Sequence, residues 1–166
     1  RFSEKSAQLL RPGSKDILRG LLEKGWEIVY ASNSTGEKLQ GCLEELSADK
    51  GGAIRIRGSA RKFVLTEEDG GTLKEFSGRM VRTDRGHYRE IIEEEKPDII
   101  IGDVFSLDLA LPAALRDQGV SYLEKGLVLY KTEYTPEWAL QAARETRDIR
   151  IVDSLEAFST LMADLG

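Results

Sequence analysis

Predicted helices and short apolar strands alternate along most of this chain, and this alternation constrains its fold more than any other feature. The first helix carries apolar residues at helical spacing, namely Ile17, Leu18, Leu21 and Leu22. Apolar runs suited to strands stand at Ile28–Ala31, Ile99–Ile101 and Ile149–Val152. Short apolar strands separated by helices are typical of a parallel sheet with helices on both faces. The pattern therefore predicts an α/β protein with a mainly parallel sheet, in which Ile99–Ile101 is covered on both faces.

Residues 52–83 depart from this pattern. Ala53–Arg57 alternates apolar and charged residues, as a half-buried strand does. Phe63–Leu65 and Met80–Val81 are predicted as further short strands, and Glu67–Thr72 has the composition of a turn between them. We therefore expect a β-hairpin insertion with antiparallel character at 52–83, within a single domain that spans 1–166.

Local signals also predict where helices begin and end. Ser14 is a candidate N-cap, and Gly25 suits the left-handed position after the first helix. Helices are predicted over 85–95, 107–115 and 154–165. Thr135 is predicted as an N-cap with Pro136 at the first helical position. A strand between these helices is expected either at 120–122 or at 127–130.

Composition excludes several classes of function. The net charge is −5 and no basic stripe stands out, so nucleic acid is not an expected partner. No apolar run approaches the roughly 18 residues that a membrane-spanning helix needs. Cys42 is the only cysteine, which excludes an internal disulfide and a cysteine-based metal site. We expect a buried Cys42 thiol beside Leu39, Leu43 and Leu46, and a cytoplasmic protein. The sequence does not indicate whether the chain forms an oligomer.

Polar residues follow two of the predicted strands, where α/β proteins bind ligands. The first loop, residues 32–36, places Ser32, Asn33, Ser34 and Thr35 between a strand and a helix N-terminus. Free backbone N–H groups and the helix dipole favour an anion there. The alternative is that Ser34 or Thr35 only caps the helix.

The second loop is Gly102–Asp108, which carries carboxylates at Asp103 and Asp108. Magnesium prefers carboxylate oxygens, water and substrate phosphate, so this pair is a candidate metal site. The alternative is structural, with Asp103 accepting backbone N–H groups and Asp108 capping the next helix.

In this order, strand–Ser–Asn followed by strand–Gly–Asp–x4–Asp, the two loops resemble the second and fourth motifs of the haloacid dehalogenase (HAD) superfamily. Arg11-Pro12-Gly13 and Lys24-Gly25 resemble the usual approach to the second motif. The resemblance implies a three-layer Rossmann-like fold and a magnesium-dependent phosphatase acting on a small phosphorylated molecule. It implies that Ser32, a catalytic residue, and the Asn33 amide bind the phosphoryl group, and that Asp103 and Asp108 bind Mg²⁺.

Two further family motifs are less clear in this sequence. The third motif is a basic residue that offsets charge during catalysis, for which Arg85 is the first choice and Arg82 the second; Lys62 and Lys74 lie further upstream. The first motif is an Asp-x-Asp that carries the nucleophile, and residues 1–15 contain no aspartate.

Three explanations follow for the missing first motif. An N-terminal segment outside these residues supplies the nucleophile, or the protein is a noncatalytic relative that binds an anion or a protein, or it is another α/β binding domain. A nucleotide-binding domain lacks support, because neither glycine-rich phosphate motif is present.

Overall fold

The computed structural model describes residues 13–35, 37, 40–41, 43, 54–68 and 70–166. Two compact units divide the chain. The first comprises Arg1–Arg61 and Ser159–Gly166, and the second comprises Lys62–Phe158. The α/β class is confirmed, with both parallel and antiparallel strand pairs. The predicted single domain stays a prediction.

The first unit contains helix α1 (Ser14–Glu23) and the strands β1 (Ile28–Ala31) and β2 (Ile54–Arg57). Its described core joins Leu22, Leu43 and Ile54, with exposed fractions of 7%, 1% and 8%. Gly25 adopts a φ of 87°, which confirms its left-handed position after α1. The predicted N-cap at Ser14 is wrong: Gly13 occupies that position and Ser14 is the first helical residue.

Strand β2 corrects the prediction for residues 52–83. It pairs with β1 in parallel, with Ile28 opposite Ile54 and Ala31 opposite Arg57. The antiparallel character expected for this part of the segment is therefore wrong. Alternation of apolar and charged residues indicates that one strand face is buried, but it carries no information about strand direction.

The second unit is built around a three-stranded parallel sheet. The sheet order is β5 (Ile99–Gly102), β6 (Gly126–Tyr130) and β7 (Ile149–Val152). Leu127, Val128 and Leu129 of the central strand β6 are fully buried, whereas Ile101 of β5 is 40% exposed. The expected coverage of Ile99–Ile101 on both faces is thus wrong for Ile101, because β5 lies at the edge of the described sheet.

Helices alternate with the sheet strands along the chain, in the order that the sequence predicts. They are α2 (Gly86–Glu95), a π-helical turn (Phe105–Leu109), α3 (Ala110–Asp117), α4 (Glu137–Glu145) and α5 (Leu155–Leu165), which crosses the boundary between the units. The N-cap of α4 is Pro136 instead of Thr135, so the helix begins one residue later than predicted. Val120–Tyr122 forms no strand, which leaves β6 as the correct alternative.

An antiparallel hairpin precedes α2. Its strands are β3 (Leu73–Phe76) and β4 (Arg79–Arg82), and Ser77 and Gly78 connect them with φ values of 48° and 74°. Two successive residues with positive φ match the right-handed twist of hairpin strands. The predicted strand at Phe63–Leu65 is wrong, and Glu67–Thr72 precedes the hairpin instead of connecting two strands.

The expected burial of the Cys42 thiol and the absence of a membrane-spanning helix concern the whole chain, of which the structure describes only a part. The Cys42 thiol, Leu39 and Leu46 lie outside the residues that the structure describes. Within the described residues, no helix has the length and apolar character needed to cross a membrane.

Candidate functional site

Asp108 organises the loop that follows β5. Its side chain is buried, and its Oδ2 accepts hydrogen bonds from the backbone N–H groups of Asp103 (3.2 Å) and Val104 (3.0 Å). Its Oδ1 lies 2.8 Å from the Nζ of Lys62, 46 residues earlier in the chain. Asp108 therefore holds the loop in shape with one oxygen and neutralises a buried ammonium group with the other.

Lys62 is positioned by Arg85, which directly precedes α2, and by Tyr88 within α2. Its backbone carbonyl accepts a hydrogen bond of 2.6 Å from Nη1 of Arg85, and its Nζ lies 5.1 Å from the centre of the Tyr88 ring. The Tyr88 hydroxyl donates to the backbone carbonyl of Asp108 at 2.9 Å. Burial, together with the charge of Asp108, raises the pKa of Tyr88 well above its ordinary value, so this hydroxyl stays a donor. These contacts join three separate chain segments, which carry Lys62, Arg85 with Tyr88, and Asp108.

Gly102 makes the close approach of Asp108 possible. A Cβ at position 102 would lie 2.7 Å from Cγ of Asp108 and 2.8 Å from its Oδ2. Contacts this short force atoms to move. The glycine of the Gly–Asp–x4–Asp pattern is therefore required by the packing of Asp108 against the end of β5.

Asp103 differs from Asp108 in exposure and bonding. Its side chain is exposed, and within the described residues its carboxylate forms no hydrogen bond or ion pair. It lies directly after β5, at the edge where parallel sheets bind ligands. Asp103 is thus the carboxylate that a ligand or cation in this loop can reach without breaking an existing contact.

These donors suit a magnesium ion that takes most of its ligands from water and substrate. The described residues contain no group of three or more His, Cys, Asp or Glu side chains arranged to hold a metal. Mg²⁺ commonly binds through one or two carboxylates, several waters and a substrate phosphate. Asp103 can supply such a carboxylate directly. Asp108, whose oxygens are both engaged, fits a contact through water.

The Ser32 loop belongs to the first unit. The Ser32 N–H donates to the carbonyl of Arg57 (3.1 Å), and the Ser32 carbonyl accepts from the N–H of Ala60 (2.8 Å). The Ser32 hydroxyl oxygen accepts a hydrogen bond from the N–H of Ser34 at 3.1 Å, which leaves its proton available to donate. Asn33 is exposed. Backbone hydrogen bonds to the last residue of β2 and to the chain just after it therefore hold this loop in place. The Ser32 hydroxyl group can bind an anion.

Arg82, the second choice for the third motif, forms a bidentate ion pair with Asp84. Its Nε and Nη2 lie 2.6 and 2.5 Å from the two carboxylate oxygens. These hydrogen bonds lower the pKa of Asp84 from 3.8 to about 2. Lys74 is paired with Asp117. Of the basic residues considered for the third motif, Lys62 is the one in contact with Asp108.

The family resemblance favours Arg85 over Lys62, because the third motif is expected near the start of the helix that precedes the fourth motif. Lys62 follows the end of β2 by five residues, so it lies in a loop at a parallel strand's carboxyl end, like the other candidates. The parallel direction of β2 is therefore the signal that favours Lys62 over Arg85.

Comparisons with protein-family models, with curated protein sequences and with solved structures found no match to this chain.

Proposed function

We propose that this chain forms part of a HAD-like, magnesium-dependent phosphohydrolase that acts on a small phosphorylated molecule. The observation that carries the proposal is the ion pair of Lys62 with Asp108 beside the exposed Asp103 carboxylate. In the family that the sequence resembles, a basic third motif accompanies the acidic fourth motif, and Lys62 fits that position better than Arg85 does.

Each residue of the proposal has a separate task. Asp103 binds Mg²⁺ directly, and Asp108 orients the loop and contacts the ion through water. Magnesium bound there would offset charge on the phosphoryl oxygens. Lys62 adds positive charge beside Asp108. The family resemblance assigns the phosphoryl oxygens to Ser32 and the Asn33 amide. The Arg85 guanidinium group positions Lys62 by donating a hydrogen bond to the Lys62 backbone carbonyl.

The attacking group completes the proposal. A carboxylate attacks phosphorus and displaces the alcohol oxygen, and water then hydrolyses the acyl phosphate. We assign this carboxylate to a segment outside the 166 residues, on a central strand of a three-layer Rossmann-like sheet. Within the described residues β5 lies at the edge of its sheet, and its unpaired edge can accept a further strand.

The test is a magnesium-dependent phosphatase assay on the full natural protein with p-nitrophenyl phosphate, accompanied by an intact-mass measurement. Asp103→Asn should lower turnover by roughly 100-fold or more, as removal of a group that stabilises transition-state charge does. Asp98→Asn is the matched control, since Asp98 is exposed and precedes the same strand. Absence of magnesium-dependent turnover in the wild-type full protein would reject the proposal.

A noncatalytic anion-binding module is the second candidate. The engagement of both Asp108 oxygens favours it, because a pair held this tightly also serves a purely structural purpose. In that case the protein binds inorganic phosphate in calorimetry but shows no turnover, and Ser32→Ala weakens phosphate binding while Asp103→Asn does not.

A further inference from the structure

A cleft of about 370 Å³ lies within the second unit, between the β3–β4 hairpin and the π-helical turn. Apolar side chains and arginines line the cleft together. They include Phe63, Arg79, Met80, Arg85, Leu107 and Trp138. A volume of this size suits a small organic molecule.

Arg85 is the unusual member of the cleft wall. The residue is only 7% exposed, and the one hydrogen bond of its side chain to the described residues runs from Nη1 to the carbonyl of Lys62. Its Nε is buried without a hydrogen-bond partner. Nη2 likewise has no hydrogen-bond partner within the described residues, but unlike Nε it is not fully buried. A guanidinium group presents five donors, so most of this one's capacity is unused.

Among the described residues the nearby carboxylates are paired with other cations, although the charge of Asp84 favours the charged form of Arg85. Asp84 is bound at both oxygens by Arg82, and Asp108 is paired with Lys62. Within the described part of the chain Arg85 forms no ion pair. Burial lowers the pKa of Arg85 more than the charge of Asp84 raises it, so the charged guanidinium group is still costly to bury. An anion that enters the cleft and pairs with it would lower that cost.

The apolar part of the cleft indicates what else the ligand carries. Phe63 is 61% exposed and Met80 is 58% exposed, which is unusual for side chains of this size. Trp138 is held edge-on by Phe105, with ring centres 5.8 Å apart, and the Arg79 guanidinium lies 5.1 Å from its ring centre. Flat apolar surfaces beside cationic groups suit a planar body with a negative charge.

We propose that this cleft is a binding site for a small aromatic anion, whose carboxylate or phosphate group pairs with Arg85 and whose ring packs against Phe63 and Trp138. This inference does not rest on phosphohydrolase activity. It assigns Arg85 a binding role in addition to its support of Lys62.

The test is calorimetric titration of the full chain with three matched probes: 2-naphthoate, 2-naphthyl phosphate and the neutral 2-naphthamide. We expect at least one of the two anions to bind at least about tenfold more tightly than the amide, because only an anion pairs with the guanidinium group. Naphthoate cannot be hydrolysed, so its binding is separate from phosphatase activity. Tighter binding of naphthoate would indicate that the ligand carries a carboxylate, and tighter binding of naphthyl phosphate would indicate that it carries a phosphate.

Variants locate the binding. Arg85→Gln should weaken binding of the preferred anion by about tenfold or more, and Phe63→Ala by about fivefold. Arg89→Gln is the matched control, since Arg89 lies on the same helix, pairs with Glu93 and does not line the cleft. If Arg85→Gln does not fold, the test rests on Phe63→Ala and on the ratio of the anion affinity to the amide affinity. Phe63 is mostly exposed, so its replacement should leave the fold intact. Binding that is absent, equal for anions and amide, or unchanged in Phe63→Ala would overturn the inference.

Discussion

The loops after β1 and β5 both follow a short parallel strand, but different kinds of interaction hold them. The backbone N–H of Ser32 donates to Arg57 at the end of β2, and its carbonyl accepts from Ala60, three residues later. The loop after β5 depends on the Asp108 side chain, which two backbone N–H groups and Lys62 contact. The comparison teaches that the first loop should tolerate side-chain changes, whereas the second depends on a buried charge pair.

Lys62→Met should have the largest effect, a loss of about 3–5 kcal/mol in the free energy of unfolding, because it leaves the Asp108 carboxylate buried without its cation. The two side chains are only 14% and 10% exposed. Urea denaturation measures the loss. Lys131→Met, at an exposed position of the same unit, should change stability by less than about 0.5 kcal/mol. Equal stability of the two variants would contradict a structural role for the pair.

Gly102→Ala should cost about 3 kcal/mol, because the added Cβ meets the Asp108 carboxylate and disturbs both of its backbone hydrogen bonds. The matched change Gly20→Ala has open space around it in the interior of α1, and should stabilise by about 0.5–1 kcal/mol. Thermal denaturation of both variants compares the signs. A neutral Gly102→Ala would show that the β5 loop adapts more easily than its contacts indicate.

Acid should weaken the second unit through Asp84. Hydrogen bonds from Arg82 lower the Asp84 pKa from 3.8 to about 2, so folding favours the charged carboxylate. Its contribution, about 2 kcal/mol, is fully present above about pH 4 and is lost as the pH falls towards 2. Urea midpoints between pH 5 and 2.5 should therefore fall less steeply for Asp84→Asn than for wild type. Parallel curves would mean that other carboxylates dominate acid unfolding.

Ser32→Ala should have the smallest effect on stability, below about 0.5 kcal/mol, because both backbone hydrogen bonds of Ser32 remain. The same variant should lose phosphate binding or turnover if the hydroxyl binds a phosphoryl oxygen. Ser34→Ala is the matched control, since its N–H still reaches the Ser32 hydroxyl. A stability loss of about 2 kcal/mol or more in Ser32→Ala would mean that the hydroxyl is structural.

Local sequence signals predicted some elements closely and failed for others. β1 and β7 have the predicted bounds, and Gly25 has the predicted positive φ, because apolar runs and glycine act within a few residues. The hairpin turn at Ser77 and Gly78 was missed since the longer polar stretch at 67–72 has the stronger turn composition. The direction of β2 could not be predicted, because its alternation is the same for parallel and antiparallel pairing.

For the site, the sequence by itself determined which loops carry Ser32, Asp103 and Asp108, because strand ends and polar spacing are local features. Only the tertiary structure decided that Lys62 pairs with Asp108 and that Arg85 instead lines a cleft with an unpaired buried nitrogen. Those contacts join residues 20 or more positions apart. Their partners depend on how helices and strands pack, and no spacing rule along the chain specifies which charge lies beside which.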